Sequence, residues 1–157
     1  MKVVFLDIDG VLNSYKYMEK PFVLKGKNYH FIDKKNIANL KEIINKTNAV
    51  IVLSSTWRLS FYDDLTSNNK MGEALIYALK EANLSLYAMT PYNGIDRYQE
   101  IQEWLLEHPE VSTYIILDDT DYDWKDIKPY WIPCNPKVGL TKKDAKKAIR
   151  LLGEVKK

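Results

Sequence analysis

The sequence predicts an α/β fold, a three-layer Rossmann-like arrangement in which a central, mostly parallel sheet carries helices on both faces. Three observations predict it. Short, continuous apolar runs, typical of strands buried on both sides, alternate with longer segments of helical apolar spacing. Three of the apolar runs end abruptly in polar clusters. No internal repeat, low-complexity tract or Pro/Gly/Ser-rich linker breaks the alternation, so one domain spanning residues 1–157 is expected.

The first strand is Val3-Val4-Phe5-Leu6, which stops at Asp7-Ile8-Asp9-Gly10. Ile37, Leu40, Ile43 and Ile44 then recur at helical spacing behind Asp33, a capping residue type. Ala49–Leu53 is the second strand, broken by Ser54-Ser55-Thr56. Met71, Ala74, Leu75, Ala78, Leu79 and Ala82 mark a strongly periodic helix, and Leu84–Ala88 reads as the third strand. Asp96 followed by Gln99 has the pattern of a capping box, opening a helix through Tyr98, Ile101 and Leu105 that His108-Pro109 ends. Tyr114–Leu117 is the fourth strand and runs into Asp118-Asp119. Tyr130–Pro133 is a short fifth strand, which its proline assigns to an edge or a strand end. Thr141 with Asp144 starts the last helix, whose stripe is Ala145, Ala148, Ile149 and Leu152.

Composition narrows the function classes. The chain has 157 residues, 46% hydrophobic and 28% charged, enough for a self-sufficient core. A single cysteine, Cys134, excludes an intrachain disulfide or a CxxC metal framework and reads as a small apolar residue. The apolar runs are too short to span a bilayer, Asp7 and Asp9 interrupt the N-terminal one, and a cytoplasmic protein is expected. The net charge of +2 is uneven: residues 137–157 carry eight Lys/Arg against two Asp/Glu. Such a block suits a polyanion, although a solvated helix face is the commoner reason for one. Only three of the 23 basic residues are arginines, Arg58, Arg97 and Arg150.

In an open parallel sheet, ligands bind beyond the carboxyl ends of the strands, where strand order reverses. The clusters Asp7/Asp9, Ser54/Ser55/Thr56 and Asp118/Asp119 all belong on that rim. Each alone is explained by a turn or a cap. Together they describe one chemistry. Four carboxylates in a small site repel one another unless a cation neutralises them, and hard oxygen donors without histidine or thiolate suit Mg²⁺. Hydroxyls and an arginine would stabilise a phosphoryl group in transit, with one carboxylate as nucleophile and a second as general acid/base.

The run Val3–Asn13, with Asp-x-Asp-Gly-Val after its strand, resembles the first motif of the haloacid dehalogenase-like (HAD) phosphatases. Val50-Ile51-Val52-Leu53-Ser54 resembles their second motif, and Ile115-Ile116-Leu117-Asp118-Asp119 their fourth. More narrowly, Ser54-Ser55-Thr56-Trp57-Arg58, Arg97 with Glu100-Ile101 and Trp104-Leu105, and Gly139-Leu140-Thr141 are similar to the small HAD domains found alone or within Swiss-Army-knife RNA-repair proteins. The resemblance covers nearly the whole chain. It implies Asp7 as the nucleophile that forms an aspartyl-phosphate and Asp9 as the general acid/base. It also implies Ser54 as a hydrogen-bond donor to the phosphoryl oxygens. Mg²⁺ would be held by Asp7, the Asp9 backbone carbonyl, Asp118 and Asp119. The third motif is usually a lysine and here departs: Arg97 is the best-placed cation, with Lys80 and Lys70 as alternatives. Asp123 is either a further outer acid or a loop residue.

Between Asn13 and Asp33 the chain is too short for a folded cap. The aromatic-rich stretch Tyr15–Ile32 is expected to be no more than a β-hairpin flap, and its aromatics to pack rather than to stack on a base. Ser55, Trp57 and Arg58 are expected to line the entrance as substrate-binding residues. The sequence thus points to a capless or nearly capless, Mg²⁺-dependent phosphatase acting on a nucleotide or a phosphorylated nucleic-acid end. The alternatives are a small-molecule phosphatase closed by its flap or a partner, and a non-catalytic phosphate-binding module. The module does not need the acid/base residue, which argues against it.

Overall fold

A computed structural model of the chain describes residues 1–20, 31–94 and 96–155. Its elements run β1 (Lys2–Leu6), α1 (Tyr15–Met18), α2 (Lys34–Thr47), β2 (Val50–Leu53), a 3₁₀ turn (Thr56–Ser60) and α3 (Lys70–Glu81). They continue through β3 (Leu86–Met89), α4 (Arg97–Glu107), β4 (Thr113–Asp118), a second 3₁₀ turn (Lys125–Tyr130), β5 (Trp131–Pro133) and α5 (Lys142–Leu152). The five strands are all parallel, in the order β3-β2-β1-β4-β5. This is the predicted α/β class. Order reverses between β1 and β4, so the crevice for a ligand opens at their carboxyl ends.

Side chains alternate across each strand, so the sheet divides the core in two. Val4 and Leu6 of β1 point into the larger cluster, with Leu40 and Ile43 of α2, Leu75 and Leu79 of α3, and Ala145, Ala148 and Ile149 of α5. Val3 and Phe5 point the other way, against Ile101 and Trp104 of α4 and against Trp124 and Ile127. Phe5 meets Trp104 edge to face, with ring centroids 5.5 Å apart. The continuous apolar run at β1 is thus explained by burial on both faces. Among the described residues no helix is long and apolar enough to cross a membrane.

The helix starts follow the caps. Asp33 accepts from Lys35 N–H, Asp96 from Gln99 N–H, and Thr141 forms a reciprocal box with Asp144. Pro133 ends an edge strand, where its missing N–H costs no ladder bond. Two expectations change. The third strand begins at Leu86 rather than Leu84, because Leu84 N–H bonds back to the Leu79 carbonyl and is spent on the end of α3. The proposed hairpin over 15–32 does not begin as a strand: Tyr15–Met18 is a helical turn capped by Ser14. It is tied down by Tyr15 N–H to Pro136 O and Lys16 N–H to Lys137 O. The rest of that expectation, residues 21–30, lies outside the described residues.

A polar clamp fixes α2 to the loop that precedes α5. The buried Asn36 donates through Nδ2 to Val138 O at 3.2 Å and Leu140 O at 3.0 Å, and Asn39 adds a bond to Leu140 O at 2.8 Å. Gly139 between them has φ +73°, and a Cβ there would lie 2.8 Å from Asn36 Cγ. Leu140 N–H in turn bonds the Val11 carbonyl, so this clamp also steadies the loop that follows β1. Replacing Asn36 by Ala removes the donor to the Val138 carbonyl and one of the two donors to Leu140 O, and is expected to cost about 1–3 kcal/mol. Urea unfolding, read as a shift in midpoint at constant slope, measures it.

Candidate active site

The three polar clusters meet because the parallel ladder continues one residue past each strand. Asp7 N–H bonds Leu117 O at 3.0 Å, Ser54 N–H bonds Leu6 O at 2.8 Å, and Thr90 N–H bonds Leu53 O at 3.0 Å. Asp7, Ser54 and Asp118 are thereby set side by side on one rim. Carboxylate oxygens of Asp7, Asp118 and Asp119 lie within 4.8 Å of one another. Gly10, at φ +79°, makes the approach of Asp119 possible: a Cβ on it would sit 2.7 Å from Asp119 Cγ.

Arg97, at the first position of α4, supplies the cation. Its Nη1 lies 2.7 Å from Asp118 Oδ2 and 3.2 Å from Asp7 Oδ1, and its guanidinium lies over the Tyr122 ring, 5.0 Å from the centroid. Among the described residues it is the cation that pairs with these acids; Lys70 and Lys80 are exposed and form no ion pair with them. Burial works against the charge on Arg97, but Asp7 and Asp118 more than offset it and hold the guanidinium above its ordinary pKa.

One arginine does not neutralise this many acids. Burial pushes the Asp7 carboxyl up to about 6, against the opposing pull of Arg97, the Ile8 N–H and a Ser55 hydrogen bond. Burial and the neighbouring Asp7 push Asp118 up to about 8. Asp118 Oδ1 accepts from Thr120 N–H at 3.0 Å, and Asp119 Oδ1 from the Thr120 hydroxyl at 3.1 Å. The remaining deficit of positive charge and the all-oxygen donor set fit a hard divalent cation such as Mg²⁺.

Ser54 is fully buried, and its hydroxyl has no hydrogen-bond partner. An orphaned buried hydroxyl costs stability unless a ligand oxygen meets it. Asp9 differs from Asp7. It is exposed, and its two oxygens accept from Asn13 Nδ2 at 2.9 Å and Trp57 Nε1 at 3.1 Å.

All three residues expected at the entrance, Ser55, Trp57 and Arg58, are buried. Trp57 is 3% exposed, its indole used on Asp9 and its ring edge-on to Phe31. Arg58 is 5% exposed. Its Nη2 pairs with Glu100 at 2.7 Å, while Nε and Nη1 bond the Ser55, Thr90 and Pro91 carbonyls and the Thr90 hydroxyl. Burial dominates its surroundings and lowers its pKa despite Glu100. Its fork is consumed by the protein, so Arg58 braces the rim instead of facing a substrate. Ser55 touches Asp7 and caps the 3₁₀ turn through Trp57 N–H at 3.2 Å. Asp123 is exposed and lies outside the acidic cluster. His108 stacks on Trp104 with centroids 3.7 Å apart, which is packing. Sequence reasoning missed Thr90 and Tyr122, which carry no local signal; Asn13 and Glu100 stood within the motifs that resemble the family but were given no role.

A family model described as the HAD domain in Swiss Army Knife RNA repair proteins matches residues 3–145. No curated protein and no solved structure shows significant similarity to the chain.

The raised carboxyls set a pH dependence. Asp7 and Asp118 hold protons in the folded state that the unfolded chain has already released. The metal-free protein is therefore stabilised by them below about pH 4 and loses that contribution as pH rises through about 6 and about 8. A divalent cation held by these carboxylates would compete with those protons, so its stabilisation would grow in the same direction. The gain in Tm on adding Mg²⁺ is expected to be larger at about pH 8 than at about pH 5. Scanning fluorimetry in the two buffers checks this, and equal gains would remove these carboxylates as ligands.

Proposed function

The chain belongs to the family of HAD domains of Swiss Army Knife RNA repair proteins, and from that membership we propose that it is a Mg²⁺-dependent phosphomonoesterase working through an aspartyl-phosphate. The observation that carries the reading is the Arg97 guanidinium bridging Asp7 and Asp118, beside the orphaned Ser54 hydroxyl. Asp7, Asp118 and Asp119, with the Asp9 backbone carbonyl, would hold Mg²⁺, which when bound supplies positive charge to the phosphoryl oxygens.

The rest falls to the chain's own residues. The Asp7 carboxylate attacks phosphorus as the ester P–O bond breaks, and the leaving oxygen takes a proton from the Asp9 carboxyl. Water then attacks the aspartyl-phosphate and gives its proton back to Asp9, breaking the bond to Asp7 and releasing inorganic phosphate. The Ser54 hydroxyl and Arg97 stabilise the equatorial oxygens as their charge develops. Asp7→Asn should abolish phosphate release in a chain that still folds, because volume is kept and Arg97 retains Asp118 as its partner. Asp9→Asn should lower kcat about 10²–10⁴-fold. Mg²⁺-dependent phosphate release over mononucleotides, phosphorylated oligonucleotides and sugar phosphates is the assay. Undiminished turnover by Asp7→Asn, or in excess chelator, would overturn the mechanism.

For the substrate we propose a phosphorylated nucleic-acid end. Two observations support it besides the family description. Lys142, Lys143, Lys146, Lys147 and Arg150 form an exposed face on α5, and among the described residues none is ion-paired. That helix begins beside the Asp9 loop, through Leu140 N–H to Val11 O at 2.8 Å. The stretch from Asn13 to Asp33 is also too short for a cap that would exclude a polymer. Each phosphate contact on a single strand adds roughly −0.7 to the slope of log K against log salt. Oligonucleotide binding should therefore weaken with salt more steeply than mononucleotide binding, and changing these residues to Gln should flatten the difference. Equal slopes would instead favour a free nucleotide or another small phosphate ester.

A further inference from the structure

We infer that Trp57, with Asn13, is a positioning residue that holds the Asp9 carboxylate in the orientation needed to protonate the leaving group. The inference rests on the phosphatase reading above and deepens it. Asp9 is exposed, and an exposed carboxylate ordinarily samples several rotamers. Here both oxygens are engaged, Oδ1 by Asn13 Nδ2 at 2.9 Å and Oδ2 by Trp57 Nε1 at 3.1 Å.

The two donors are themselves buried and held by further contacts. Asn13 is buried, its Oδ1 accepting from Gly10 N–H at 2.9 Å and its Nδ2 also reaching Phe31 O at 3.2 Å. Trp57 sits in the 3₁₀ turn Thr56–Ser60, between a Ser55 cap and an Arg58 side chain locked to Glu100. Its ring packs edge-on against Phe31, with centroids 6.5 Å apart. Any large apolar side chain would fill that space. What tryptophan adds is a single fixed N–H aimed at the acid. With one donor on each oxygen, the carboxylate plane is set, and each oxygen keeps a lone-pair direction for the leaving group or water.

A proton donor matters only when the leaving group needs a proton. An alkyl phosphomonoester such as a nucleoside 5′-phosphate releases a strongly basic alkoxide, whereas p-nitrophenyl phosphate releases a stabilised phenolate. The term kcat/KM covers the steps up to transfer of the phosphoryl group to Asp7, where the two esters differ. Trp57→Phe keeps the ring and removes the N–H. It should lower the ratio of alkyl to aryl kcat/KM about tenfold, as befits the loss of one hydrogen bond to a charged group. Asp9→Asn should lower the same ratio further. A benzothienylalanine at position 57, which replaces N–H by sulfur in the same outline, should reproduce the effect if Trp57→Phe folds poorly.

Equal losses on both esters, or no loss, would overturn the positioning role while the phosphatase reading stands. No turnover of either ester by the wild type would remove both.

Discussion

Two carboxylates at the ends of adjacent parallel strands, both out of water, cannot both ionise without a cation between them. The Arg97 guanidinium is that cation. Its fork reaches Asp118 and Asp7 from the first turn of α4, so the helix must start where Asp96 caps it, directly over the end of β4. One turn further along the same helix Glu100 pairs with Arg58, which reaches back to Ser55 and Thr90. A chain of buried charge therefore links the ends of β1, β4, β2 and β3 through one helix. Breaking a buried pair of this kind typically costs about 3–5 kcal/mol, because the surviving partner is stranded without water.

That arrangement leaves the rim short of positive charge, and the shortage is what makes it a site. A protein selected only for stability would not crowd Asp7, Asp118 and Asp119 within 4.8 Å and leave a fully buried Ser54 hydroxyl with no partner. The strain is supported from below by a sheet buried on both faces and by loops tied to one another through backbone bonds. Gly10 and Gly139, both at positive φ, allow two close approaches: Asp119 over the Asp9 loop and Asn36 against the loop before α5. Crowded carboxylates beside a buried hydroxyl without a partner are the usual marks of preorganisation for a charged ligand.

The start of α5 and the loop that carries Asp9 are joined by a backbone bond, Leu140 N–H to Val11 O. The helix starts at the rim side of the sheet, held there by Leu140 on Val11, and carries its five cations away from it. On the proposed function, the acids would hold the reacting phosphate through a metal, and lysines along the helix would suit the phosphates that follow it in a strand. A small ester would meet only the first of these features.

What the sequence determined alone was the alternation of buried strands and amphipathic helices, and with it the α/β class. It determined the helix starts at Asp33, Asp96 and Thr141 and the polar ends of three strands. These rest on short-range periodicity and capping, which a window of a dozen residues contains. It also singled out Asp7, Asp9, Ser54, Asp118 and Asp119, because strand ends in a parallel sheet share a rim, and Arg97 through the family resemblance. Tertiary structure decided where the side chains of the Ser54–Arg58 stretch point. Trp57 and Arg58 turn inward because their partners, Asp9 and Glu100, lie 48 and 42 positions away in the chain. The pairing of Arg97 with both acids was decided there too, as were the Gly10–Asp119 approach and the late start of β3. Each depends on groups that meet only after the sheet has set its strand order, and no local pattern encodes such a meeting.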